Sequence, residues 1–165
     1  MKANAAVPSR SPRGFTLIEM VAVVAIVGVL ATAAMPLLEL TMRRSQELAL
    51  RQALRTLRSA IDAYKLAFDE GRIAKKGDPS GYPPSLSVLV DGVPDARAPD
   101  GDKRLYFLRR LPRDPFADPS LPAAQTWNLR SSDSPPEAPA PGSDVFDVAS
   151  RSDRAALDGT PFSEW

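Results

Sequence analysis

Residues 11–40 read SPRGFTLIEMVAVVAIVGVLATAAMPLLEL. Nineteen consecutive residues, 20–38, carry no charge. That is the length an α-helix needs to cross roughly 30 Å of hydrocarbon. The run starts one residue after a carboxylate, Glu19. An ionised group near the start of a spanning helix costs about 3 kcal/mol in lipid and points to function by default; the plainer alternative is a carboxylate solvated at headgroup level. On the other side, residues 1–14 hold Lys2, Arg10 and Arg13 and no acid, and Pro8 and Pro12 disfavour a helix there. A secretory signal peptide has a shorter apolar block and a small-residue cut after it. Here the small residue, Gly14, comes before the block. A cut after Gly14 keeps the apolar segment and makes Phe15 a new N-terminus, its amine four residues from Glu19. An amine and a carboxylate that pair, within or between subunits, lower the cost of burying each other.

Composition narrows the function classes. The chain has 165 residues, room for one domain plus a membrane segment. Its net charge is +1, so no strong overall field selects nucleic acid or an acidic partner. With no His and no Cys, a Cys/His zinc site, an imidazole base, a thiol nucleophile, a Ser/His/Asp triad and any disulfide are excluded. Chemistry by Ser/Lys or a carboxylate pair stays open on composition alone, but no nucleophile–base pair stands out, and a protein that is not an enzyme is expected.

Beyond residue 38 the helical pattern continues. Leu50, Leu54, Leu57, Ile61, Tyr64 and Phe68 recur at alternating spacings of four and three, an apolar stripe on one helix face. Gly71 follows as a C-terminal cap. A continuous helix over residues 15–70 would be about 84 Å long, natural for a membrane helix that runs on into a head. Pro36 leaves the Thr32 carbonyl without its helical donor and bends the axis, and Gly28 is a second weak point. Residues 28–36 are therefore expected to kink or melt when helices pack together. Between residues 41 and 76 nine Lys/Arg face four Asp/Glu, but no aromatics interleave the basic residues before Tyr64, so a solvated or lattice-contact face fits better than a nucleic-acid surface. Both flanks of the apolar run are basic, which leaves its orientation undetermined.

The remaining residues predict a small head. A Pro-rich turn at 81–84 leads to a short helix with Leu86, Leu89 and Val90, Ser85 being available near its start. Residues 93–102 read as a loop, 103–108 (KRLYFL) as a strand, and 111–116 (LPRDPF) as a rigid turn. Residues 126–130 and 144–148 read as short strands around a low-complexity loop, 131–143. The order gives an α+β class: a long N-terminal helix, membrane segment plus stalk, packed on a small antiparallel head.

GFTLIE at 14–19 resembles the class III signal of type IV pilins and type II secretion pseudopilins. The resemblance implies cutting after Gly14 by a prepilin peptidase and N-methylation of Phe15. It also implies a pairing of Glu19 with the Phe15 amine of a neighbouring copy during filament assembly. Pro36 sits where the family commonly has Pro. Tyr82-Pro83, the LPRDPF turn and the closing Trp165 are similar to the major-pseudopilin branch, and many type IV pilins instead close a loop with a disulfide. The implied organisation is a leader at 1–14, a transmembrane and assembly helix at 15–40, a stalk at 41–70 and a periplasmic head at 71–165. The implied role is a structural pseudopilin in a short periplasmic filament, single-pass in the inner membrane. Its expected partners are further copies, minor pseudopilins, the prepilin peptidase and an inner-membrane assembly platform, with no nucleic acid. A minor pilin of a type IV pilus or DNA-uptake machine is the alternative. The branch also implies calcium in a C-terminal loop, where the matching positions are Asp153, Asp158 and, more loosely, Thr160. The family's loop is longer and Gly-rich between its acids, whereas RAAL fills residues 154–157 here. The alternative is a metal-free turn in which Arg154, beside Asp153, pairs with the acids.

Overall fold

The structure, a computed structural model, describes residues 14–74, 80–98 and 103–165. Residues 1–13 of the expected leader, and Lys75 and Lys76, lie outside these. The chain divides into two units, Met1–Thr41 and Met42–Trp165. One helix, α1 (Leu17–Asp69, 53 residues), runs through both.

In the first unit none of the described helix residues is buried. Leu17, Ile18, Val24, Val29, Leu30, Leu37 and Leu38 are all exposed. An apolar window long enough to span a membrane lies here, with none of it covered by the protein. Pro36 lies inside the helix, and residues 28–36, expected to yield on packing, are helical in the single chain. The Thr32 hydroxyl donates to the Val29 carbonyl at 2.7 Å.

In the second unit the same helix is one-sided. Leu50, Leu54, Leu57, Ile61 and Tyr64 are buried against Leu86, Leu89, Trp127, Val145, Val148 and Phe162. The 3.6-residue period brings the stripe to one face, and the head covers it. Gly71, at φ +72°, ends the helix: its N–H donates to the Phe68 carbonyl and the Arg72 N–H to the Ala67 carbonyl, both at 2.9 Å. That pair of bonds is a Schellman cap, which needs a left-handed residue at Gly71. Beyond it, Gly81 sits at φ +74° with Phe68 so close that an added Cβ would lie 2.5 Å from its ring.

The head follows as α2 (Val88–Asp91) and two antiparallel pairs. β1 (Val93–Pro94) pairs with β2 (Arg104–Leu105), and β3 (Trp127–Arg130) with β4 (Asp147–Ser150), Trp127 opposite Ser150. Short 3-10 turns cover Ala123–Thr126 and Phe162–Glu164. The α+β class is as expected. Several boundaries are not. Residues 93–94, expected in a loop, form β1. The strand expected over 103–108 stops at Leu105, because the N–H groups of Phe107 and Leu108 both turn to the Leu89 carbonyl. The strand expected at 144–148 starts at Asp147, because the Val145 N–H is taken by the Pro83 carbonyl and Asp144 is occupied elsewhere. Ser85 does not cap α2; its hydroxyl meets that of Ser87 at 2.8 Å.

Two buried aspartates hold the head's turns. Asp114, in the LPRDPF turn, accepts the Phe116 N–H at 2.8 Å and the Ser150 hydroxyl at 2.5 Å. Asp144 accepts the Ser131 hydroxyl (2.6 Å), the Ser132 N–H (2.9 Å) and the Ser132 hydroxyl (2.6 Å), closing the base of the 131–143 loop. Burial pushes the Asp144 carboxyl up, but bonds from Ser131, Ser132 and Ser80 outweigh it and hold the group at about 2, against an ordinary 3.8.

Candidate functional site

The candidate site in the first unit begins at Gly14. Gly14 and Phe15 are exposed, and nothing lies within 4 Å of where a Gly14 Cβ would be. The helix starts three residues on, and its start is built by two side chains. The Glu19 N–H donates to the Thr16 hydroxyl at 3.3 Å, and the Thr16 N–H donates to Glu19 Oε2 at 3.4 Å. This is a capping box: Thr16 is the N-cap and Glu19 the third helical residue, and each satisfies a backbone donor that the helix leaves open. The carboxylate also lies at the positive end of the helix dipole. The acid that reads from sequence as out of place thus has a local role, and the T-x-x-E spacing at 16–19 is the signal for it. Pro36, also expected to serve assembly, is exposed further along the same helix.

The second candidate is the C-terminal loop. Its backbone folds back on itself. Ala155 bridges to Pro161, the Ala156 N–H donates to the Thr160 carbonyl (2.8 Å), the Gly159 N–H to the Ala156 carbonyl (3.0 Å) and the Phe162 N–H to the Arg154 carbonyl (3.1 Å). Asp158 and Thr160 come together, Asp158 Oδ1 accepting the Thr160 N–H at 2.9 Å. That N–H, the Thr160 hydroxyl and the nearby Arg51 hold the Asp158 carboxyl below its usual range. Asp153 is exposed and bonds to neither, nor to any other described residue. Calcium asks for six to eight oxygens. Among the described residues no three Asp or Glu cluster, three of the loop's carbonyls already accept backbone N–H groups, and a guanidinium faces Asp158 Oδ2. As arranged, these donors do not fit the ion. The guanidinium is Arg51 from α1, 3.7 Å away, and not Arg154, which lies over the Phe116 ring at 5.3 Å. Arg51 is distant from Asp158 in the chain, and no local pattern joins them.

A capped, uncovered apolar helix that passes into an amphipathic stalk carrying a small α+β head defines a pilin-like protein. The N-terminal segment agrees: residues 9–35 match the prokaryotic N-terminal methylation motif. The chain is 32% identical over 111 residues to the type II secretion system core protein G of Klebsiella michiganensis, covering 65% of this chain and 70% of that one. It is 35% identical over 111 residues to that of Klebsiella pneumoniae (63% and 69%), and 29% identical over 110 residues to that of Aeromonas hydrophila (67% and 71%). The chain belongs to the type II secretion system core protein G family. No solved structure gives a significant match.

Proposed function

We propose that the chain is a structural pseudopilin of a type II secretion system, with no catalysis of its own. It is cut after Gly14 by a prepilin peptidase, methylated on the Phe15 amine, and held in the inner membrane by residues 15–40 with its head in the periplasm. It then assembles with further copies and with minor pseudopilins, on an inner-membrane platform, into a short filament. The observation that carries this is the join at Gly14: an exposed glycine ahead of a capped helix whose described large apolar side chains from Leu17 to Leu40 are exposed.

Cleavage supplies the chemistry of assembly. The new amine at Phe15 is cationic near neutral pH. Among the described residues the Glu19 carboxylate accepts a single hydrogen bond, from the Thr16 N–H, and at 3.4 Å it is long. An ammonium brought in by a neighbouring copy competes for the same carboxylate, and in a dry helix bundle the pair offsets much of the cost of burying either charge. The exposed apolar faces then pack helix to helix.

Two measurements test this. Replacing Gly14 by Leu should leave a membrane-bound precursor heavier by the 14 leader residues; normal processing of that variant would overturn the cleavage site. Deleting the gene should abolish protein secretion and spare twitching and DNA uptake. The reverse pattern would assign the chain to a pilus or uptake machine.

A further inference from the structure

The last nineteen residues of the head, 147–165, are gripped by three side chains of α1. Glu47, Arg51 and Arg58 are spaced by four and seven residues, which puts them on one helix face. Glu47 Oε1 accepts the Leu157 N–H at 2.8 Å. Arg51 reaches Asp158 at 3.7 Å, and its guanidinium lies over the Trp165 ring, 4.2 Å from the centroid. Arg58 makes three bonds: Nε to Asp147 Oδ1 (2.7 Å), and Nη2 to the carbonyls of Val148 (3.1 Å) and Trp165 (2.5 Å). Behind this strip Phe162 stacks on Phe116 at 4.4 Å and meets Trp165 edge-on at 5.0 Å.

We propose that Glu47, Arg51 and Arg58 form a latch that holds the C-terminal segment on the helix in place of a divalent cation, so that this head folds and keeps its loop without calcium. The pairing of charges supports it. Each guanidinium meets one carboxylate of the segment, Arg58 at Asp147 and Arg51 at Asp158, and the Glu47 carboxylate is taken up by the Leu157 N–H. An ion at Asp158 would have to displace Arg51 from the carboxylate and disturb its stacking on Trp165. An isolated pair of half-exposed charges contributes little. The strip acts through number: six contacts from three side chains, one of which also anchors a ring.

The latch holds whichever secretion or pilus machine the chain serves, and it is tested on the full chain in detergent micelles. Thermal unfolding in chelator and in millimolar calcium should agree within about 1 °C, whereas an ion binding only the folded state in excess of its Kd would raise the transition by several degrees. A rise of that size overturns the proposal. Arg58→Met keeps the stem and loses all three bonds, and it should lower the melting temperature in either medium; no change overturns the proposal too. Glu47→Ala removes the acceptor for one amide without touching the core, and hydrogen exchange at Leu157 should then speed up about tenfold. An unchanged Leu157 rate would place the loop's support elsewhere. Finally, Arg51→Glu and Asp158→Arg should each loosen the segment, and the two together should recover at least half of the lost melting temperature. Both side chains are about half exposed, 51% and 57%, so neither change threatens the core.

Discussion

The two halves of α1 share one backbone geometry and differ in what surrounds them. From Leu17 to Thr41 apolar residues occur all round the helix, and Leu30 is 64% exposed. From Met42 to Asp69 one apolar stripe, Leu50 to Phe68, is covered by the head and Leu57 is fully buried, while Met42, Leu48 and Leu66 lie off that stripe and stay exposed. A helix that is hydrophobic on every side needs an apolar surrounding that its own chain does not supply, a lipid bilayer or other helices. A helix with one apolar stripe needs only a single partner layer, and here the head provides it. The same structure therefore meets two solvents in turn, and the sequence changes its pattern accordingly.

The sharpest way to break this contrast is a matched pair of truncations. Leu57→Ala should cost the head about 2–5 kcal/mol, by lost transfer energy and the cavity left behind. Leu30→Ala should leave the melting of the head unchanged. Thermal unfolding of both variants in detergent decides, and equal losses would refute the contrast. Asp144→Asn comes next. Its carboxyl is held at about 2 rather than 3.8, so its stabilisation is complete above roughly pH 4 and is lost as the pH falls toward 2. The variant should be less stable by about 2 kcal/mol at neutral pH, and the gap to the native chain should close on acidification between those values. A gap that stays constant with pH would show that the Ser131 and Ser132 bonds are not its source. The smallest effect belongs to the start of the helix. Thr16→Ala should cost about 1 kcal/mol of local helix stability, visible as faster amide exchange over residues 16–20 with no change in the melting of the head. A shift in the head's transition would mean that the first turn and the head are energetically linked.

The fold was legible where one residue's neighbours in sequence are also its neighbours in space. The membrane-length run, the stripe from Leu50 to Phe68 and the Gly71 cap depend on spacings of three and four, and spacing is visible in a string. The capping box at Thr16 and Glu19 is equally visible as T-x-x-E, although the position of Glu19 beside the apolar run points first to a partner amine and not to its own helix start. The strand ends were not legible, because they depend on competition for backbone donors. Val145 alternates well enough for a strand, but its N–H goes to Pro83, 62 positions away. The acidic C-terminal loop shows the same limit. Asp153, Asp158 and Thr160 are close in sequence, yet Asp158 takes its cation from position 51 and Asp153 takes none among the described residues.

Residue order alone settled the class of the molecule: an apolar helix of spanning length entered at Gly14, a stalk with a single apolar face, and an α+β head. These follow from local periodicity and from burial, which act on any copy of the pattern. Tertiary structure decided which groups close the head: Asp114 with Ser150, Asp144 with the 131–132 turn, and the Glu47–Arg51–Arg58 strip on residues 147–165. Those contacts join positions 12 to 110 residues apart. Their partners are chosen by which donors and acceptors remain unsatisfied once the core has packed, and no local pattern records that choice.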